Sequence, residues 1–301
     1  MQHVNADFDY FKAFARSIGW ISNEELYALK SKHVALGGVG GTGGYYALTL
    51  ARLGIEHFTL ADFDSFELSN FNRQAGAFLD TLGKNKAETL AEMLSRINPN
   101  IKTRIFNLGV NEKNISAFLE GTNLYLNAMG FQSGDIQADI FDACRENNIP
   151  ATSVVVPGFC ASLINFHPQR ISFNNYFKIK GLSREEQSIR LVAGHNPRLL
   201  MLRHYIVSDE PIRFKEYDGP VTPIPCITAA GLACTEVLRI LLNRKNISWA
   251  PWSFQVDTYL KRFYKTWRPG GNSNPLQKFI LYYLRKRLKL PRAPLFSSES
   301  P

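Results

Sequence analysis

Six glycines crowd the eight positions of GGVGGTGG, residues 37–44, behind the apolar run HVAL and ahead of the helical pattern YYALTLARL. Backbone that bare lets main-chain N–H groups close on a phosphate with no side chain in the way. A helix beginning there adds a field that favours an anion. The spacing Gly38-x-Gly40-x-x-Gly43, with Gly41 between, therefore reads as a nucleotide loop, and its alternative is a tight turn in some other α/β protein. A second polar group follows in TLADFDSFELSNFNRQ. Asp62 closes a predicted strand at the distance where such folds set a carboxylate against ribose hydroxyls, which NAD and ATP both carry. Asn70 and Arg73 come just beyond it, and Lys86 opens the next helix in LGKNKAE. A dinucleotide diphosphate needs little cationic help beyond backbone amides. A triphosphate that loses pyrophosphate develops charge that Arg and Lys offset, so this pair of cations favours ATP.

The elements that must hold these residues alternate regularly. Strands are predicted at 33–36, 58–61, 101–106, 124–127 and 151–156, and helices at about 43–53, 85–97, 114–119 and 136–147. Repeated βα units give an α/β fold, a Rossmann-like, doubly wound, mostly parallel sheet. Past Pro157 the pattern changes to short extended pieces, ASLINF and RISFNNYF, and then to an irregular polar stretch from 181 to about 198. A helix over 227–242 and paired strands in SFQVDTYLKRFYKTW add antiparallel strands, and a C-terminal helix closes the chain. The expected division is an N-terminal helical arm (1–32), a nucleotide-binding core (33–168), substrate-side loops, helix and closing strands of the same domain (169–266), and a basic C-terminal helix and tail (267–301).

Of 35 Lys/Arg and 26 Asp/Glu, ten bases and a single acid, Glu299, lie from Thr258 onward, so the tail holds the whole net charge of +9. Within it NPLQKFILYYLRKRLKLPR reads as a helix from Pro275 to Pro291 with a basic cluster at Arg285, Lys286, Arg287 and Lys289. Such a helix either makes weak contact with an anionic membrane or acidic partner, or docks on its own domain with a solvated basic face. No specific nucleic-acid site is expected. The N-terminus has no leader-like apolar segment and no run spans a bilayer, so a cytoplasmic setting is expected. The four cysteines form no C-x-x-C pair, which excludes the usual zinc and disulfide frameworks. Cys160 and Cys226 read as small buried hydrophobes rather than thioester acceptors. His195, Arg198 and His204, with the aromatics of FNNYF, could line a pocket or simply pack.

Together the glycine loop, Asp62-x-Asp64, SNFNRQ, GKNKAE and INPNIK resemble the ThiF/MoeB/HesA superfamily, relatives of ubiquitin-activating enzymes, over residues 10–168 and 227–266. The resemblance implies an ATP-dependent adenylyltransferase. A substrate carboxylate, here unknown, attacks the α-phosphate and pyrophosphate leaves an acyl-adenylate. By motif position Asp62 would hold the ribose, Asp64 would lie near metal and phosphates, and Asn70, Arg73 and Lys86 would bind phosphate. Arg16 in FARSIG matches an arginine that reaches the partner subunit's site in relatives, which implies a homodimer. One departure stands out. Where relatives place acids to hold Mg2+, this chain has Asn127 and Gly130. Either Asp135 takes that role, or the chain is a degenerate member that binds a nucleotide or partner without adenylating; Gly130 could also be a positive-φ turn. An NAD-dependent oxidoreductase explains the glycines and Asp62 but leaves Arg16, Arg73 and Lys86 without a task.

Overall fold

Strands covered by helices on both faces are buried along nearly their whole length, and four of the first five are. In a computed structural model, which describes residues 8–208 and 219–287, β1 (His33–Gly37) and β2 (His57–Ala61) are buried beyond their first residue. β3 (Lys102–Phe106) is half exposed because it lies at an edge, whereas β4 (Leu124–Asn127) and β5 (Ala151–Val155) are central. β6 (Cys160–Phe166), β7 (Trp252–Asp257) and β8 (Arg262–Trp267) complete a sheet of order β3-β2-β1-β4-β5-β6-β7-β8. The first five strands run parallel and the last three antiparallel. The fold is thus the mostly parallel α/β sheet with an antiparallel end that the periodicity predicts.

The helices are α1 (Tyr10–Phe14), α2 (Asn23–Lys30), α3 (Gly43–Arg52), α4 (Lys86–Ser95), α5 (Ile115–Leu119), α6 (Gly134–Glu146), α7 (Phe173–Phe177), α8 (Arg184–His195), α9 (Leu200–His204), α10 (Pro223–Leu241) and α11 (Pro275–Arg287). One core layer joins α3, α4 and α10 to Leu36, Leu60, Leu126 and Leu163. On the other face α5 to α8 pack around Tyr125, Phe141, Phe166 and Phe177. The N-terminal arm belongs to the first layer, since the Tyr10 hydroxyl donates to the carbonyls of Gly54 and Leu26 at 2.7 and 3.0 Å.

Two expectations fail past Phe166. The aromatic stretch FNNYF is not extended, because Ser172 Oγ accepts the Asn175 N–H and starts α7. The stretch expected to be irregular holds α8, capped by Ser183 and carrying Glu185 and Glu186 in its first turn, where acids suit the helix dipole. α10 begins at Pro223, ahead of its predicted start, because a proline in the first turn gives up an N–H that has no helical partner there. α11 docks on its own domain. Leu281 and Leu284 join Ile189, Ala193, Leu199 and Leu202, the Arg285 guanidinium meets Glu186, and Arg287 donates to the Leu202 carbonyl. Much of the expected basic face is therefore turned inward; Lys289 and Pro291 lie outside the described residues.

His195 lines no pocket. It is 1% exposed and stacked on Phe177, with Nδ1 at 2.9 Å from the Leu191 carbonyl and Nε2 at 2.9 Å from Ser153 Oγ. The carbonyl requires a proton on Nδ1, so Nε2 is the acceptor for the serine hydroxyl and the ring is neutral. Burial pushes its pKa down to about 4. Below the ordinary value of ~6.5 the unfolded chain takes up a proton that the folded chain refuses. Stability should therefore be complete above pH ~6.5 and fall by up to about 1.4 kcal/mol per unit on acidification toward pH 4. Urea unfolding across that range should show this slope, and His195→Gln should flatten it; an unchanged slope in the variant refutes the assignment.

Candidate functional site

The glycine loop spans the end of β1 and the start of α3, and its glycines are bare for two different reasons. Gly38 has φ +81°, and a Cβ there would sit 2.8 Å from the Ala128 carbonyl oxygen. A Cβ on Gly43 would lie 2.0 Å from the Gly38 carbonyl oxygen, so α3 can start against β1 only without a side chain. Gly40 and Gly41 differ. Side chains there would make ordinary contacts, 3.5 Å to the Gln74 amide and 3.6 Å to Cys226 Sγ. The chain's own packing does not demand glycine at these two positions, and the open backbone they leave is a cradle that a Cβ would begin to fill.

Side chains from three segments surround this cradle. Asp62 follows β2 and accepts the Val39 N–H on one oxygen (2.9 Å) and the Asp64 N–H on the other (3.0 Å). Burial raises its pKa above the usual carboxylate value, opposed by those two donors and the Lys86 charge. Lys86, 5% exposed at the start of α4, reaches Asp64 at 2.9 Å, so a nearly buried cation rests on a half-exposed acid. Asn85 holds both strands of this corner. Its Oδ1 caps α4 through the Ala87 and Glu88 N–H groups while its Nδ2 donates to the carbonyls of Asp62, Asp64 and Asn107.

The third segment is the 3-10 turn Leu68–Asn70 and the residues after it. Buried Asn70 accepts the Glu67 N–H on its side chain and the Gln74 N–H on its carbonyl, which sets Arg73 and Gln74 beside the loop. The Arg73 guanidinium donates to the Ser69 carbonyl and Asn72 Oδ1, and its stem passes 3.8 Å from the Cβ position of Gly41. Gln74 is 8% exposed, and its buried Oε1 has no hydrogen-bond partner. Sequence reasoning passed over Gln74 and Asn85, although each stands next to a chosen residue; the alternation of Asn85 with two lysines in GKNKAE carries an N-cap signature.

Two other candidates stand apart. Arg16 is exposed on the turn Ala15–Ser17. Its arm is pinned by Tyr10 to Gly54, just past the C-terminal end of α3, whereas the glycine loop is at the N-terminal end. Asp135 lies in the first turn of α6, where it takes the Gln187 amide at 2.5 Å. Nor do the two family positions, one ending β4 and one in the loop after it, offer an acid. Asn127 accepts from the Tyr125 hydroxyl and donates to Gln137, which in turn donates to the Gly130 carbonyl. Gly130 has φ −66°, so it is not a positive-φ turn, and a Cβ there would meet only the flexible end of Gln132. Among the described residues no three His, Cys, Asp or Glu side chains converge as a metal cage.

The cysteines are inert by environment. Burial pushes the Cys226 thiol up to about 11 despite the nearby Arg73 charge, and Cys160 up to about 12. Neither is a ready nucleophile at neutral pH.

A mostly parallel sheet with a bare loop after its first strand, an acid after its second and two cations at the same edge defines an α/β protein of the Rossmann-like class. The chain belongs to the ThiF family, whose profile matches residues 14–277. It is 34% identical over 126 residues to the tRNA threonylcarbamoyladenosine dehydratase of Escherichia coli (strain K12), covering 42% of this chain and 46% of that protein. It is 35% identical over 99 residues to the molybdopterin-synthase adenylyltransferase of the same organism, 33% of this chain and 40% of that one. The match thus spans less than half the length of each. In fold it is similar to the crystal structure of PaaA, with a TM-score of 0.66 over 89% of this chain and 85% of that one at 18% identity.

The two kinds of glycine can be told apart. Gly43→Ala should cost more than about 2 kcal/mol in chemical unfolding, because its Cβ meets backbone that cannot move aside. Gly41→Ala should stay within about 1 kcal/mol of wild type. Equal losses at both positions would show that the loop is bare for folding alone.

Proposed function

We propose that this protein adenylates a carboxylate with ATP. The observation that carries the reading is the cradle at Gly40 and Gly41, bare without a packing reason, with Arg73 beside Gly41 and with Asp62 linking the loop at Val39 to Asp64 and its partner Lys86. Backbone N–H groups and the start of α3 suit the phosphates. Arg73 and Lys86 neutralise charge that builds as a carboxylate oxygen bonds to the α-phosphorus and the bond to pyrophosphate breaks. Asp62 keeps a free lone pair on each oxygen for ribose hydroxyls. Asp64 holds Lys86 extended until phosphate competes for it. The substrate stays at the level of a carboxylate on a peptide, protein tail or small acid.

Magnesium serves the family in general, yet the acids here are Asp62, which holds two backbone N–H groups and is assigned to the ribose in this reading, and Asp64, paired with Lys86. The residues present do not fit a protein-held ion, and no step is assigned to one. Asn127 and Gly130 favour a second reading, a member that binds nucleotide without adenylating. The functional unit we propose is a homodimer in which Arg16 completes the neighbour's site. Four buried free cysteines suit a reducing compartment, and we assign the protein to the cytoplasm.

Calorimetric titration should show ATP binding more tightly than NAD, and Lys86→Ala should weaken ATP by about 1–3 kcal/mol, the worth of one charge-assisted contact. Tighter binding of NAD refutes the reading. ATP-pyrophosphate exchange across a panel of carboxylates, with and without magnesium, separates adenylation from binding: ATP binding with no exchange selects the second reading.

A further inference from the structure

The segment after the turn Leu68–Asn70 runs alongside the glycine loop, residue against residue. Arg73 carries its stem past Gly41, Gln74 lies against Gly40 and Ala75 against Gly44. Two of these side chains have a plain account. The Ala75 methyl packs 3.5 Å from where a Cβ on Gly44 would stand, and the Arg73 guanidinium is tied to the Ser69 carbonyl and Asn72 Oδ1. Gln74 has none. It is 8% exposed, and its Oε1 is shut off from solvent without a hydrogen-bond partner. Its backbone N–H donates to the Asn70 carbonyl at 2.9 Å and its carbonyl accepts the Ala77 N–H at 3.1 Å, so the main chain alone fixes its place. An amide left in that state costs stability that an apolar side chain of similar volume would not.

The amide lies over the bare main chain of Gly40. Its Nε2, Oε1 and Cδ are 3.5, 3.5 and 3.6 Å from the point a Gly40 Cβ would occupy, so it lies flat across that position. The two polar atoms are equally distant, and a half-turn about the Cγ–Cδ bond exchanges acceptor for donor in place. Glutamate, of the same shape, has no donor to offer at neutral pH, and methionine has neither. The surroundings decide which end a ligand would call for. α3, ten residues long, begins at Gly43 and turns its N-terminal field on this loop, and Arg73 stands one residue from Gln74. Both favour an anion, and an anion calls for the N–H end.

We infer that Gln74 is a phosphate-binding residue, whose Nε2 donates to a non-bridging oxygen of the polyphosphate held at Gly40. The side chain is unpaired in the empty protein because its partner arrives with the ligand, which is why stability is given up at a position the fold does not need to be polar. The donor is neutral and short of reach, so it fixes where the phosphate sits, while Arg73 beside it supplies charge. The inference rests on the proposed function in taking a polyphosphate as the occupant of the cradle, and it does not require that adenylation follows.

Thermal melts of the free protein and calorimetric titration with ATP and with inorganic tripolyphosphate test it together. Gln74→Met keeps nearly the volume and removes both polar ends. It should melt no lower than wild type, because the group removed is unpaired, yet bind each ligand about tenfold or more weakly, the worth of one hydrogen bond to a charged acceptor. Gln74→Glu, which sets a second anion beside the phosphate, should abolish tripolyphosphate binding. A side chain that only packs gives the opposite pair, a lower melt for Gln74→Met with both affinities unchanged, and that result overturns the inference. So does a Gln74→Glu protein that takes tripolyphosphate as tightly as wild type. The two ligands keep the readings apart. Wild type that binds tripolyphosphate, loses it in Gln74→Met and prefers NAD to ATP defeats the proposed function alone. Wild type that prefers ATP, with Gln74→Met equally tight, defeats the inference alone, and binding of neither ligand defeats both.

Discussion

The Gly38 carbonyl stands where a side chain on residue 43 would begin, and this contact between the end of a strand and the first residue of the next helix sets the geometry of everything around it. It draws α3 tight against the end of β1, so the loop between them turns sharply there. Asp62 then fastens the turn by taking the Val39 N–H, which ties the second strand's end to the loop. Through Asn85 the same corner takes in the start of α4, and with it Lys86. A charged side chain with so little access to water is stable there because its acid partner is already in position.

A second system of polar contacts runs beneath the sheet's other face. Gly130, Gln137, Asn127, Ser153, His195 and the Leu191 carbonyl form a chain of hydrogen bonds from the loop after β4 to the middle of α8. Asn127, Gln137, Ser153 and His195 are all buried, so a bond lost among them would strand a partner without water to replace it. The chain of bonds joins the loop after β4 to a helix that packs against the same face of the sheet. Phe177, stacked on His195, closes it from the side.

The parallel half was legible because its signals are local. Apolar runs bounded by glycines mark β1 and β2, and Asp62, Arg73 and Lys86 stand at fixed intervals from them. The half past Phe166 was harder because the deciding groups are single hydroxyls. Ser172 and Ser183 each begin a helix, one in a run of aromatics that suits a strand equally well and one in a polar stretch that suits a loop. The inward turn of Arg285 could not be read at all, since nothing near it in sequence announces Glu186, which α8 brings to it. Gln74 beside Gly40 belongs to the same class: its meaning lies in what another segment brings next to it.

The position of β6 bears on how the chain leaves the ribosome. Its seven residues are all buried, held between β5, made shortly before it, and β7, which follows the whole of α7 to α10. While the intervening helices are being synthesised, β6 is the outer strand of an unfinished sheet, with one row of backbone donors and acceptors unpaired and five of its seven side chains apolar. Nascent chains on neighbouring ribosomes would meet through that edge before Trp252 emerges to seal it. The demand for chaperone protection during synthesis should thus be concentrated in the interval between Phe166 and Asp257, after the glycine-loop corner, built from β1 to β4, has already been made.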